Sequence, residues 1–140
     1  VLAKEWYEKS ANLGNIYAMK SLASCYQFGE GVEKNYILAS KWYLNAIDNG
    51  GKADLGLGNL YEQGGYGLEK DYVKAISYYK LLTEYLSSAG YHRIGLIYKE
   101  GGYGIKKDLV KAKESFKTAC DISLSYKLEN KVACEEYSKL

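Results

Sequence analysis

A repeat of about 36 residues runs through the chain and limits its fold more than any other feature. Residues 61–75 read YEQGGYGLEKDYVKA, and residues 98–112 read YKEGGYGIKKDLVKA, which is nearly the same. Four alanines in this register are separated by 36, 36 and 37 residues: Ala3, Ala39, Ala75 and Ala112. Tyrosine, glycine and Asn or Asp positions recur in the same order. Such a period is typical of proteins built from stacked supersecondary units.

Each repeat predicts two helices, which we name A and B. In the first A helix, Ala18, Leu22 and Tyr26 recur every four residues, which places them on one helical face. The pattern predicts A helices over 17–28, 53–63 and 89–100, and B helices over 36–49, 72–86 and 109–121. A half unit at 2–13 opens the chain, and a helix over 130–139 closes it. The predicted fold class is therefore all-α, made of helix-turn-helix repeats.

The repeats predict a single domain over residues 1–140. Its parts are a half repeat at 1–16, repeats at 17–52, 53–88 and 89–124, and a C-terminal capping helix at 130–139. The pattern drifts toward the end, since Gly14 and Gly50, which end B helices, are replaced by Leu86 and Ser123. End repeats face solvent on one side, so this drift is expected of a cap.

An aromatic pair, or its remnant, recurs on the predicted B helices. Large side chains that repeat with the period belong in the core rather than in a ligand site. Replacing a buried Trp by Ala costs roughly 3–5 kcal/mol, so these positions are expected to matter for stability. The residues assigned to the core on this ground are Trp6, Trp42, Tyr43, Tyr78 and Phe116.

The GGYG segments raise the question of a phosphate-binding loop. No strand is predicted before them, and the GxxxxGK[ST] motif is absent, so we interpret them as joints between helices A and B. Glycine reaches positive φ without steric cost, which suits a sharp reversal. Asn35, Asp71 and Asp108 follow as predicted N-caps of the B helices. Tyr66 and Tyr103 lie at the loop tips, where we expect exposed contacts for a partner.

Charge and hydropathy argue against nucleic acid and against membrane insertion. The net charge is +2 with Lys and Glu interleaved, whereas nucleic-acid-binding domains carry a basic patch. No apolar run approaches the roughly 20 residues of a transmembrane helix. The chain starts in mid-pattern at Val1, so we expect a trimmed fragment or a processed product. The first half repeat, VLAKEWYEKSA, is a candidate surface for self-association.

Two long stretches carry a resemblance to a known family. Residues 18–50 read AMKSLASCYQFGEGVEKNYILASKWYLNAIDNG, and residues 53–80 read ADLGLGNLYEQGGYGLEKDYVKAISYYK. Both resemble the Sel-one-like repeat (SLR) family, whose members are related to tetratricopeptide repeats. The resemblance implies a right-handed α/α superhelical solenoid with A helices along its concave side. It also implies a role in holding other proteins together, and it carries over no catalytic residues.

The A helices should then line a partner-binding groove. Three positions on each A helix lie beside its core stripe, and together they offer polar, apolar and oppositely charged side chains. That mixture suits a peptide or a protein loop better than a nucleic acid or a fatty ligand. Tyr17 and Tyr91 are expected at the edge of the groove. The alternative is that these positions are simply solvated. The nine groove residues are Lys20, Ser24, Gln27, Leu55, Asn59, Glu62, His92, Leu96 and Lys99.

The three cysteines divide into two groups. Cys25 takes an apolar core position of the repeat, so we expect a buried thiol. Residues around Cys120 and Cys134 resemble the closing repeat of a cysteine-rich bacterial SLR branch, and that resemblance implies a disulfide. Their separation is 14 residues, which is seven more than the separation of the equivalent positions at the junctions between earlier repeats. A looped-out insertion would let the sulfurs meet, whereas two more helical turns would separate them, and two buried free thiols are the alternative.

The resemblance predicts a bacterial, non-enzymatic scaffold or adaptor without a cofactor. His92 is the only histidine, so a zinc site is not expected. The alternative is a β-lactamase-like or penicillin-binding protein of the cysteine-rich branch. No S-x-x-K motif appears together with the partner motifs that this chemistry needs. A periplasmic or secreted location is favoured over a cytoplasmic one.

Overall fold

The structure is a computed structural model that describes residues 2–52, 54–83, 87–126 and 131–140. In this part of the chain it consists of α-helices joined by short turns, which confirms the all-α class. None of the described helices is long and apolar enough to cross a membrane. The helices are α1 Leu2–Asn12, α2 Ile16–Phe28, α3 Tyr36–Asp48, α4 Leu55–Gln63, α5 Tyr72–Thr83, α6 Ser88–Glu100, α7 Leu109–Ser125 and α8 Lys131–Lys139.

Side-chain caps fix where the B helices begin. The Oδ1 atom of Asn35 accepts a hydrogen bond from the Leu38 N–H at 3.0 Å. Asp71 accepts from the Lys74 N–H at 3.0 Å, and Asp108 accepts from the N–H groups of Val110 and Lys111. Each bond satisfies a backbone donor that lacks an intrahelical partner. The three predicted N-caps are confirmed.

Helix α7 is one turn longer than the sequence pattern predicts. It ends at Ser125 instead of 121, because Ile122 and Ser123 are buried and the extra turn is packed. Gly14 and Gly50 have φ of +91° and +90° after the earlier helices, and α7 has no glycine at that place. Residues 53, 84–86 and 130, which the pattern assigned to helices, lie outside the described residues.

The chain divides into two compact units, Val1–Lys70 and Asp71–Leu140, which we call unit 1 and unit 2. Unit 1 contains α1–α4. Its core cluster is Ala11, Ala18, Met19, Leu22 and Ala46, with Tyr7, Ile16, Tyr26 and Trp42 packed against it. Unit 2 contains α5–α8, and the buried side chains there include Ala75, Tyr79, Ile94, Ile97, Phe116 and Ala119.

The two members of each aromatic pair are buried to different extents. The second members Tyr43, Tyr79 and Phe116 are buried, as a core position requires. Trp42 and Tyr78 are half-buried, and the core assignment of Trp6 is wrong, because this side chain is 72% exposed. Trp42 packs on the α1–α2 hairpin that precedes its own helix. Trp6 lies on α1, and none of the described hairpins covers its ring.

Each GGYG loop contacts the first residue of the B helix that precedes it in the sequence, α3 or α5. Residues 64–67 and residues 101–104 all have positive φ, including +49° at both Tyr66 and Tyr103, a region that L-residues with side chains rarely adopt. The Tyr66 carbonyl accepts the Tyr36 N–H at 3.2 Å, and the two rings lie 4.9 Å apart. In unit 2, Tyr103 contacts Tyr72 in the same way, at 3.1 Å and 5.0 Å. The loops are therefore structural joints that also satisfy the first turn of the neighbouring helix.

Candidate functional site

The exposed face of α2 in unit 1 carries a cavity of about 380 Å³. Lys20 and Ser24, both predicted groove residues, contribute to its wall, and Tyr17 stands beside them with 73% of its surface exposed. Asp54, which caps α4 by accepting the Gly56 N–H at 2.8 Å, closes the other side. The full lining is Tyr7, Tyr17, Lys20, Ser21, Ser24, Cys25, Glu30 and Asp54.

The assignment of Gln27 to the groove is wrong. Its side chain is only 4% exposed and accepts a buried hydrogen bond from the Tyr43 hydroxyl at 2.7 Å. Burial raises the pKa of Tyr43, so the hydroxyl keeps the proton that it donates. A Cβ atom at Gly56 would lie 2.5 Å from the Tyr43 hydroxyl oxygen, and glycine therefore makes room for the pair. The repeat pattern placed Gln27 correctly on the helix but could not reveal its partner on α3.

Replacing Tyr43 by Phe is expected to lower the free energy of unfolding by about 1–3 kcal/mol. The change removes the donor and leaves the buried Gln27 oxygen without its partner. Urea denaturation followed by circular dichroism measures the effect. The control is Tyr17→Phe, which removes a hydroxyl from an exposed ring and should change stability by less than about 0.5 kcal/mol. Equal stability of the two variants would contradict a structural role for this hydrogen bond.

The predicted groove residues on α4 and α6 are half-buried. Leu55, Asn59 and Glu62 lie on α4 in unit 1 with part of each side chain open to solvent. Leu96 and Lys99 on α6 are also partly open, but the Lys99 ammonium binds the Glu136 carboxylate of α8 at 2.7 Å. This hydrogen bond lowers the pKa of Glu136. Helix α8 therefore neutralises one of the charges that the sequence offered to a partner.

His92 lies at the edge of the unit 2 core. Its ring centroid is 5.8 Å from that of Phe116, and its Nε2 atom is buried without a hydrogen-bond partner in the described part of the chain. Burial lowers the pKa of His92, which favours the neutral imidazole. No group of three or more His, Cys, Asp or Glu side chains among the described residues could hold a metal ion.

A disulfide joins Cys120 on α7 to Cys134 on α8, with the Cα atoms 4.7 Å apart. The extra turn of α7 does not separate the two sulfurs, because α7 ends at Ser125 and α8 lies against it. Cys25 is buried and carries a free thiol. The cysteines therefore join the last helix of unit 2 to α7 and leave one buried thiol in unit 1.

The loop-tip tyrosines keep both an internal contact and an exposed surface. Tyr66 and Tyr103 are each 55% exposed, although one edge of each ring packs on its own unit. Unit 2 contains a further cavity that the repeat pattern did not predict, and Lys80, Thr83 and Ser115 contribute to its lining. The signal was present in the sequence, because Ser115 stands where earlier repeats carry Trp42 and Tyr78.

Comparison with known proteins identifies the repeats. The Sel1 repeat family model matches residues 1–15, 16–51, 52–84 and 88–122. No curated protein matches the chain. A solved Sel1 repeat protein from Oxalobacter formigenes is 32% identical with a TM-score of 0.68, and the match covers 85% of this chain and 48% of that protein. The chain thus spans about half the length of this relative.

Two further solved structures share the fold. One is c5321, a protective antigen present in uropathogenic Escherichia coli strains and displaying an SLR fold, at 22% identity and a TM-score of 0.73 over 97% of this chain and 31% of that one. The other is the cysteine-rich protein B of Helicobacter pylori, at 24% identity and a TM-score of 0.58 over 94% of this chain and 89% of that one. These relatives are helical-repeat solenoids, and the family match extends over most of the sequence. The chain belongs to the Sel1 repeat family.

Proposed function

We propose that this chain is a non-enzymatic scaffold that holds a partner protein or peptide on the exposed faces of its A helices. Sel1 repeats generally mediate protein–protein interactions. The observation that carries the proposal is the cavity on α2, where Lys20 and Ser24 lie beside the exposed ring of Tyr17. Tyrosine is a frequent anchor in protein interfaces because its ring is large and its hydroxyl remains polar.

The chemistry of the surface favours a polypeptide. Lys20 and Glu30 bring opposite charges to the cavity, and Tyr7 and Tyr17 bring aromatic area. The partner segment therefore combines an apolar side chain with charged or polar neighbours. Helical hairpins are already ordered before binding, so little entropy is lost when the partner docks. In unit 2, α6 offers the open part of Leu96 for the same purpose.

Site-specific photocrosslinking tests this function. A benzophenone amino acid at position 17 should crosslink one protein in extract of the source cells. The same amino acid at Lys41, an exposed position on α3, serves as the matched control and should not. The captured protein is then purified, and its affinity is measured for the unmodified chain. Lys20→Glu should weaken binding at least about tenfold, or 1.4 kcal/mol, whereas Lys41→Glu should not.

Two results would contradict the proposal. One is identical crosslinking from positions 17 and 41, which would indicate random collision. The other is turnover of a chromogenic β-lactam by the purified chain above the rate in buffer, which would favour the β-lactamase-like alternative.

A further inference from the structure

Unit 2 contains a cavity of about 550 Å³ at the meeting point of α5, α6 and α7. Ligand-binding pockets usually measure about 300–1,000 Å³ and combine apolar walls with a few polar groups. This cavity has that composition, since two tyrosine rings and an aliphatic side chain line it together with charged and hydroxyl side chains. It is lined by Lys80, Thr83, Tyr91, Ile94, Tyr98, Lys111, Glu114 and Ser115.

The residues that line this cavity can be compared with the equivalent residues of unit 1, because the sequence repeats. In unit 1 the indole ring of Trp42 packs against the cluster that contains Ala11, Met19 and Leu22, with Tyr26 beside it. Adding 73 residues to Trp42, which is the sum of the second and third alanine spacings of 36 and 37, gives Ser115. Adding 72 residues to the others gives equivalent positions that all line the cavity: Thr83, Tyr91, Ile94 and Tyr98.

The cavity is thus the site that a tryptophan ring fills in unit 1. Ser115 has no ring, but the next residue, Phe116, is fully buried, so α7 remains packed on α6. A Cβ atom at Gly95 would lie 2.6 Å from the Phe116 ring, which shows how closely the two helices already approach. Protein interiors are close-packed and do not relax completely around a missing side chain. The space left by the absent ring therefore stays open.

We propose that this cavity binds the indole side chain of a tryptophan that a partner protein inserts. Tyr91, Ile94 and Tyr98 occupy the places of the residues around Trp42 in unit 1, and they form the apolar walls. The Lys111 ammonium lies 5.3 Å from the centroid of the Tyr98 ring, so a positive charge lies beside one of the aromatic side chains of the cavity. Glu114 also lines the cavity, and its carboxylate is an acceptor for the indole N–H. Tryptophan is among the side chains that contribute most to protein interfaces.

This inference rests on the proposed scaffold function, because it names the side chain by which a partner is held. Its test needs no partner. The ¹⁵N-labelled chain is titrated with N-acetyl-L-tryptophanamide and followed by two-dimensional ¹H–¹⁵N NMR. We expect saturable shifts of the Tyr91, Ile94, Tyr98 and Ser115 amides, with a dissociation constant on the order of 1 mM for so small a ligand. N-acetyl-L-leucinamide should bind several-fold more weakly, because it fills less of the aromatic space.

Substitutions separate this pocket from a nonspecific apolar surface. Ser115→Trp should reduce binding at least tenfold, since its own ring takes the place of the ligand. Asp121→Trp adds the same ring to an exposed position of α7 and should leave binding unchanged. Trp42→Ser opens the equivalent space in unit 1 and should create a second site, seen as new shifts at Met19, Leu22 and Tyr26. The Trp42→Ser variant also tests the inference if the Ser115→Trp variant does not fold.

The pocket does not exist as proposed if no saturable shifts appear at the four amides, or if Ser115→Trp binds the ligand as the unmodified chain does. Neither result would affect crosslinking from position 17, so failure of the pocket and failure of the scaffold function are distinguishable. Conversely, a chain that binds the tryptophan derivative but gives no specific crosslink at position 17 would retain the pocket and lose the proposed α2 surface.

Discussion

Replacing Phe116 by Ala is expected to lower the free energy of unfolding by about 3–5 kcal/mol, the usual cost of truncating a buried aromatic ring. The ring has no exposed surface and fills the space between α6 and α7, directly against Gly95. Because helical hairpins in repeat proteins depend mainly on their neighbours, the loss should fall first on unit 2. Urea denaturation followed by circular dichroism measures the total effect.

The two tryptophans show where the loss occurs. Trp6 and Trp42 both lie in unit 1, so their fluorescence follows that unit while circular dichroism follows all helices. In Phe116→Ala, we expect the circular dichroism transition to move to lower urea than the fluorescence transition. The control is Phe28→Ala at a position that is 59% exposed, and it should change stability by less than about 0.5 kcal/mol. A loss below 1 kcal/mol at Phe116 would refute its role as the centre of the unit 2 core.

Breaking the Cys120–Cys134 disulfide is expected to release α8. The bond closes a loop with a sequence separation of 14 residues, and a loop of this size contributes about 3 kcal/mol in the chain-entropy description. Helix α8 has nine residues, whereas isolated helices shorter than about 12–15 residues are marginal in water. Among its described residues only Ala133 is buried, and one ion pair joins it to α6.

Hydrogen exchange measured by mass spectrometry checks this expectation. Residues 131–139 should lose protection in a double variant in which Cys120 and Cys134 are both changed to Ser, and also after treatment of the unmodified chain with a dithiol reductant. The control is Cys25→Ala, which removes the remaining thiol and should leave the response of α8 to reductant unchanged. If α8 remains protected after reduction, packing alone holds it and the disulfide is not what secures it.

The amino-acid sequence by itself determined the elements and their order. Short segments of the sequence were enough to recognise the 36-residue period, the glycine-rich joints and the N-caps at Asn35, Asp71 and Asp108. Capping, helical spacing and positive φ depend on residues only a few positions apart, so they can be predicted from the sequence alone. The burial of Tyr43 and Phe116 followed as well, because the pattern of a helical face repeats in every unit.

The tertiary structure alone decided which of the predicted surface residues remain available. Gln27 occupies the same helical position as Glu62 and Lys99, yet it is buried against Tyr43 of the next helix. Lys99 is engaged by Glu136 from α8, and His92 turns its Nε2 atom into the protein. Trp6 and Trp42 are equivalent by sequence, but Trp42 packs on the α1–α2 hairpin, whereas the ring of Trp6 is largely exposed. The exposure of a side chain depends on which other helices pack against its hairpin. A repeat pattern predicts the same environment in every unit, so it cannot predict these differences.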